Sequence, residues 1–474
     1  MKSVGFFKAY DMRGTFGVDF NANTVYRVGR ALPSLIARLD GVAGRRPRIL
    51  VGRDGRTTSE TVRNALVAGL VEGGAVVSDL GLCTTSMAYY FTAADGYDGS
   101  AMITASHNPP TDNGIKVSMR TALPVGYATG LDEVERIVSA DTAVLAPGGS
   151  MPSAALVENV LPRYVEWQKA HRGAFPLEGL RFAVDCSNGM SSLLVHEMFP
   201  SAVILNDEID GRFPCHSPNP LKAEAREQLS AVVQERGLDC GVIFDGDADR
   251  AMFVDENGAF VQPDYLIPVV ARAPLCHQTN LPPNHPTTLP PYPKAVLHDV
   301  RTSRGAIETL RESGFEPVMV PVGHAFAKPK MRELGALCGG ELAGHYYFGD
   351  FFGCDSGVLA ASRVLSAVAE AKSNGETFSA MMRPIVSRYA NSGELNFRVE
   401  EKEAAIDRVL KAAESFGAVE GRSDMDGVRL EFEDGWINVR KSNTEPYLRL
   451  VAEHRSVDGL RAWTSVLEAA INGR

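Results

Sequence analysis

The stretch C-G-V-I-F-D-G-D-A-D-R, residues 240–250, sets the reading of the whole chain. Its first five residues form a short apolar run, the pattern of a strand buried on both faces. Asp245, Asp247 and Asp249 follow directly. In extended backbone, residues two apart share a side, so the spacing predicts three converging carboxylates. Such carboxylates repel one another unless a cation holds them, and hard oxygen ligands of this kind suit Mg²⁺. A solvated acidic loop is the plain alternative; the apolar run leading straight into the acids favours a site at a strand end. A calcium-binding helix–loop–helix places Glu256 at loop position 12. That reading fails because Arg250 occupies position 6, where the loop needs Gly, and a strand-like run precedes it.

The same pattern recurs outward from this stretch. R-F-A-V-D-C-S-N-G (181–189) is a strand, an acid and a polar turn, and a helix-like segment spans 223–236. In the first third, R-I-L-V-G-R-D (48–54) reads as a strand, and Ser59 as the cap of a helix carrying Val62, Leu66 and Leu70. Gly73-Gly74 stops that helix, A-V-V-S-D-L (75–80) reads as the next strand, and G-S-A-M-I (99–103) runs into a polar loop. Further on come A-V-L-H-D-V (295–300), a helix from about Thr302, and P-V-M-V-P-V-G (317–323). This alternation predicts α/β units whose sites lie at strand C-terminal ends. D-G-R-T-T-S-E-T (54–61) echoes D-V-R-T-S-R-G-A (299–306), a hint of internal duplication.

From about 375 the pattern changes. E-L-N-F-R-V, a helix over 402–415, and V-R-L-E-F-E-D-G-W-I-N-V-R follow. Alternation on both sides of Asp434-Gly435 signals a hairpin. With P-Y-L-R-L-V-A-E (446–453) and a closing amphipathic helix, this predicts a small α+β unit with an antiparallel sheet. Residues 274–293 hold seven prolines and read as an irregular surface loop.

Composition bounds the function. The chain has 474 residues, 45% hydrophobic and 22% charged, which is ordinary globular composition. Length alone suggests about three domains. The net charge of −10 gives no global reason to bind nucleic acid or an anionic membrane, so any anion must be held locally. No apolar stretch is long enough for a membrane span, and the charged start M-K-S-V-G-F-F-K does not read as a secretory signal. The seven cysteines show no C-x-x-C pair and read as free thiols in a reducing cytoplasm.

Three further segments carry chemistry. T-A-S-H-N-P (104–109) places Ser106 at a strand end, facing a cleft; the plain alternative is a Ser-Asn-Pro turn. A serine hydrolase is a poor reading, since adjacent Ser106 and His107 are not expected to face each other and no G-x-S-x-G surrounds them. G-G-E-L-A-G-H (339–345) brings Glu341 and His345 into a Gly-rich turn suited to hydroxyl groups. R-K-S-N-T-E-P-Y-L-R (440–449) offers Arg440, Ser442, Asn443, Thr444 and Arg449, the forks, hydroxyls and turn amides of a phosphate cradle.

These motifs, in this order and with K-A-Y-D-M-R-G (8–14) and V-G-R-D-G-R (51–56), resemble the α-D-phosphohexomutase superfamily, nearest its bacterial phosphomannomutase/phosphoglucomutase branch. The resemblance implies a heart-shaped enzyme of four domains: three α/β domains with mixed sheets, at 1–150, 151–255 and 256–372, and a C-terminal α+β domain at 373–474. It implies that Ser106 carries a phosphoryl group and that Asp245, Asp247 and Asp249 bind Mg²⁺ together with a phosphoserine oxygen. It places Arg13, His107, Lys116 and Arg250 around the reacting serine. Tyr10, His324, Glu341 and His345 are implied in sugar recognition, and Arg440, Ser442, Asn443, Thr444 and Arg449 in holding the non-reacting phosphate. Glucose or mannose 1,6-bisphosphate is the implied activator, hexose phosphates the implied partners, and a monomer or homodimer the implied state.

Two positions depart from the family pattern. Ala343 stands where relatives usually carry Ser, and Gly349 where they often carry Arg. The implied reaction is phosphomannomutase, extending to glucose phosphate, with the last domain moving to retain a bisphosphate that must turn end over end. Phosphoglucomutase, phosphoglucosamine mutase and a non-catalytic phosphosugar-binding protein remain the alternatives.

Overall fold

A computed structural model describes residues 5–42, 44–146, 154–273, 294–442 and 447–473. The proline-rich stretch 274–293 and the cradle residues Asn443 and Thr444 lie outside the described residues.

Three mixed sheets and one antiparallel sheet follow one another along the chain. The first sheet sets Arg48–Arg53 between Val76–Leu82 and Gly99–Ile103, all parallel, with Asp112–Met119 antiparallel beyond. The second repeats this arrangement: Phe182–Asp185 lies between Val203–Leu205 and Cys240–Phe244, and Ala251–Asp255 returns antiparallel. The third repeats it again with Ala295–Asp299, Glu316–Val320, Cys338–Gly340 and the returning Tyr346–Phe348. The duplication hinted at by that short echo is thus a threefold topological repeat. The last sheet, built around Val428–Phe432, Gly435–Lys441 and Leu448–His454, is antiparallel. The hairpin lies where Asp434-Gly435 predicts it, because Gly435 opens the returning strand opposite Phe432.

Two helix starts differ from the expectation. Ser59 is the first residue of helix Ser59–Glu72 and not its cap. Its hydroxyl donates to the Asp54 carboxylate at 2.5 Å, a charge-assisted bond that turns it away from the helix-end N–H groups. The later helix begins at Arg304, capped by Ser303 on the Gly305 N–H at 3.1 Å.

The core explains how the units are held. One apolar cluster runs through the first three units, joining Met87, Tyr89 and Phe91 to Phe182 and Phe244 and on to Tyr346, Val358 and Leu365. The last unit has its own cluster around Val409, Leu430, Ile437, Leu450 and Leu467. Apolar contact between the last unit and the third centres on Leu342, Trp436 and Val451. Separating the first three units therefore exposes a shared core, whereas moving the fourth exposes little apolar surface. Among the described residues, no helix is long and apolar enough to cross a membrane. The described cysteines, Cys83, Cys186, Cys215, Cys240, Cys338 and Cys354, are all free thiols, as expected.

Candidate active site

The strand Gly99–Ile103 delivers the loop that carries Ser106. Ser106 has a left-handed backbone, φ 50°, which costs a non-glycine residue on the order of 1 kcal/mol. Its N–H is caught by Thr104 Oγ1 at 2.8 Å. This backbone also corrects the expectation for His107. Instead of pointing apart, Ser106 Oγ and His107 Nδ1 lie 3.3 Å from each other, because the left-handed residue swings both side chains to one side. The hydroxyl donates to Asp245 Oδ2 at 2.7 Å. Burial, with Arg250 and Arg13 nearby, pushes the His107 pKa well below its ordinary value, so this imidazole is neutral near pH 7.

The returning strand Asp112–Met119 carries Lys116 opposite Met102. Its ammonium lies 2.8 Å from Asp247 Oδ2 and 2.6 Å from Asp249 Oδ2. Burial alone lowers its pKa, but the two carboxylates win and hold it raised. At the sheet edge Arg13, paired with Gly114 across the ladder, bonds Asn108 Oδ1 at 3.0 Å and Asp11 Oδ2 at 2.5 Å.

Asp245, Asp247 and Asp249 converge as expected, but by a different route. The strand ends at Phe244, and the acids sit in a turn with Ala248 at φ 60°. Turn folding, not strand alternation, aims them together. Their ligand oxygens lie within 4.8 Å of one another, and all three side chains are buried. Asp247 Oδ1 and Asp249 Oδ1 have no hydrogen-bond partner among the described residues. Burial and the other two carboxylates push the Asp245 pKa well above the ordinary range. Buried, mutually repelling oxygens with unfilled lone pairs fit a hard divalent cation. The metal turn and the serine loop are in close contact: a Cβ on Gly246 would stand 2.7 Å from the Ser106 carbonyl oxygen.

The turn after Cys338–Gly340 faces two ways. His345 turns toward the metal loop, where its Nε2 accepts from Arg250 Nε at 3.0 Å. Its Nδ1 lies 2.7 Å from Asp355 Oδ2, and Lys328 holds the other oxygen of Asp355 at 2.7 Å. Glu341 turns the other way, bonded by the Tyr347 hydroxyl and 3.9 Å from Arg301. Burial raises the Glu341 pKa. Tyr10 reaches across from the first unit to the Val322 carbonyl at 3.0 Å, beside His324. Gly349 is not a vacated site position. A Cβ there would meet the Ala336 carbonyl oxygen at 2.5 Å, so the backbone itself fills that space.

In the last unit Arg440 and Arg449 share one carboxylate. Glu394 accepts from Arg440 at 2.9 Å and from Arg449 at 3.1 Å, and from Arg301 of the third unit at 3.0 Å. Burial raises the Glu394 pKa, yet the three guanidiniums bring it down to about 2. Ser442 donates its N–H to the Tyr447 carbonyl at 2.9 Å, beside the cradle positions.

Four residues of this arrangement, Arg301, Glu394, Asp355 and Lys328, escape the motif reading. Arg301 had a signal: the echo of D-G-R in D-V-R. Glu394 had none, because its partners come from distant segments, and Asp355 pairs with His345 and Lys328 at ten and 27 positions, spacings that no sequence period marks.

Family models for the phosphoglucomutase/phosphomannomutase family match the chain in four successive pieces. Alpha/beta/alpha domain I covers residues 5–144, domain II 160–258, domain III 262–389, and the C-terminal domain 394–466. The chain belongs to this family of enzymes. It is 34% identical over 454 residues to a protein of Xanthomonas campestris named for phosphohexose mutases, spanning 95% of both chains. It is 32% identical over 472 residues to a phosphomannomutase of Vibrio cholerae, spanning 96% of this chain and 95% of the other. The crystal structure of a phosphoglucomutase/phosphomannomutase family protein from Burkholderia thailandensis superposes with a TM-score of 0.80 at 28% identity. The match covers 100% of this chain and 98% of that one.

Proposed function

We propose that this enzyme is a cytoplasmic phosphomannomutase, moving a phosphoryl group reversibly between C1 and C6 of mannose phosphate and acting also on glucose phosphate. The observation that carries the reading is the buried meeting of Ser106 Oγ with Asp245 at 2.7 Å, inside a three-carboxylate cluster with unfilled oxygens. Relatives named phosphomannomutase, aligned over nearly the whole chain, support the substrate.

Asp245, Asp247 and Asp249 would hold Mg²⁺. When bound, it offsets charge on the transferring phosphoryl group. A phosphorylated Ser106 loses its P–Oγ bond as the sugar hydroxyl oxygen bonds phosphorus. The hydroxyl proton passes to a base, and the serine oxygen regains a proton. The resulting 1,6-bisphosphate turns over, and its other phosphoryl group returns to Ser106.

His107 Nδ1, held neutral and 3.3 Å from Ser106 Oγ, is placed to exchange the serine proton. Lys116 stays charged and, with Arg13 and Arg250, surrounds the reacting oxygens with positive charge. Arg440, Ser442, Asn443, Thr444 and Arg449 would take the non-reacting phosphate, and Glu341, Tyr10 and His324 the sugar, while His345, bonded to Arg250, would act from the metal-loop side. The separate core of the last unit supports its closing over the bisphosphate.

The test is a coupled assay with Mg²⁺ and a trace of glucose 1,6-bisphosphate, comparing mannose 1-phosphate, glucose 1-phosphate and glucosamine 1-phosphate. Mannose 1-phosphate is expected to give the highest kcat/KM, and a preference for glucosamine 1-phosphate would overturn the assignment. Intact mass should show one phosphate on the protein, lost in Ser106→Ala.

A further inference from the structure

Arg56 closes the turn between the strand Arg48–Arg53 and the helix Ser59–Glu72. It is 2% exposed. Its Nη1 donates to the carbonyls of Pro109 at 2.6 Å and Asp112 at 2.9 Å. Its Nη2 donates to those of Ser106 at 2.8 Å and Asn108 at 2.7 Å. All four acceptors belong to the segment 106–112. Nε lies 3.2 Å from Asp54, and the Phe213 ring, from the second unit, covers the guanidinium at 5.0 Å.

The chemistry is specific to arginine. A planar guanidinium presents five N–H donors in a fixed fork, so one side chain can bind four main-chain carbonyls at once. An ammonium has three donors at one point and cannot span them. The serine at the head of this segment has an unfavourable backbone, φ 50°, which persists only where the surroundings fix it. Ser106 is fixed on both sides, its N–H by Thr104 and its carbonyl by Arg56.

We propose that Arg56 is a positioning residue for the phosphoryl-carrying serine. It holds the main chain of 106–112 in the one form that points Ser106 Oγ at Asp245 and brings His107 Nδ1 beside it. It touches neither substrate nor reacting atoms. The kinetic consequence rests on the mutase reading above; the structural consequence does not.

The experiment compares the wild-type chain with Arg56→Lys in steady-state kinetics, thermal unfolding and amide hydrogen exchange. In a folded variant, kcat should fall roughly ten- to a hundredfold, the scale expected when a reacting group is misplaced. KM for mannose 1-phosphate should stay within about threefold, since the phosphate cradle is untouched. Exchange should speed up across 104–112 and remain unchanged across the strand Gly435–Lys441. A folded variant with wild-type kcat and wild-type exchange at 104–112 overturns the proposal. If Arg56→Lys does not fold, Phe213→Leu serves instead, because it uncovers the guanidinium without removing it. A severalfold fall in kcat with faster exchange at 104–112 is then expected, and no change in either overturns the proposal. If the wild-type chain shows no mutase activity, the functional reading fails, and the exchange data still decide the role of Arg56.

Discussion

In the first unit the Oδ1 of Asp54, next after the strand Arg48–Arg53, accepts the Arg56 N–H at 3.0 Å. In the third, Oδ1 of Asp299, at the end of its strand, accepts the Arg301 N–H at 2.6 Å. The two turns share this aspartate–amide bond, but their arginines are spent differently. Arg56 turns inward onto four carbonyls of its own unit, fixing the loop that carries Ser106. Arg301 goes to carboxylates: Asp299 of its own turn at 2.6 Å, Glu394 near the start of the last unit at 3.0 Å and Glu341 of its own unit at 3.9 Å. The second unit has the same turn with a short side chain. Asp185 accepts the Ser187 N–H at 2.8 Å, and Ser187 Oγ donates to the Phe244 carbonyl at 2.6 Å, just ahead of the metal-loop acids. The residue two after the acid reaches the loop after the third strand in the first unit and the end of that strand in the second, whereas in the third unit the acid itself, Asp299, holds that loop by accepting the Leu342 N–H at 3.0 Å.

The proposed mechanism puts chemistry in the first two units and recognition in the third and fourth, and substitutions can break that division. The largest effects belong to the chemical side. Ser106→Ala should lower kcat on the order of a thousandfold or more with little loss of fold, and Asp247→Asn should sharply weaken the Mg²⁺ dependence. Mutase activity comparable to wild type in Ser106→Ala, or an unchanged Mg²⁺ titration in Asp247→Asn, removes that residue from the mechanism.

Arg301→Gln should act on the other side. Loss of a charge-assisted contact, about 1.5–3 kcal/mol, should raise KM roughly ten- to a hundredfold with a smaller change in kcat. A fall confined to kcat would make the two arginines equivalent and end the distinction.

Glu394 sharpens the point through pH. Its folded pKa of about 2 lies below the ordinary 4.5. The stability it contributes is therefore present above about 4.5 and lost as pH falls toward 2. Glu394→Gln should be less stable than wild type at pH 7, and the gap should close as the medium is acidified through that window. A gap independent of pH means that the carboxylate charge contributes nothing. The smallest effect is expected from Ser187→Ala, about 1 kcal/mol or less in denaturant unfolding, because one neutral hydrogen bond is lost.

Much of this was legible beforehand because it is local. Apolar runs ending in acids gave the strands and their order, and turn residues gave the hairpin at Asp434-Gly435. The motif order pointed to Ser106, the three aspartates, Lys116 and Arg13. Local reading failed where a side chain's direction depends on one backbone angle. His107 was expected to face away from Ser106, and the aspartates to converge along a strand. A left-handed residue, Ser106 in one loop and Ala248 in the other, changes both results, and composition does not reveal it.

By itself the sequence determined which groups are present: the hydroxyl, three carboxylates and cations, each placed at a strand end by the period of the apolar pattern. Tertiary structure alone decided which of them meet. Glu394 binds Arg301, Arg440 and Arg449; Asp355 binds His345 and Lys328; and Arg56 binds the carbonyls of a loop some fifty positions away. The reason is physical. A charge or a main-chain carbonyl accepts any suitable donor, so its partner is set by burial and distance in the folded chain, and neither leaves a periodic trace along the sequence.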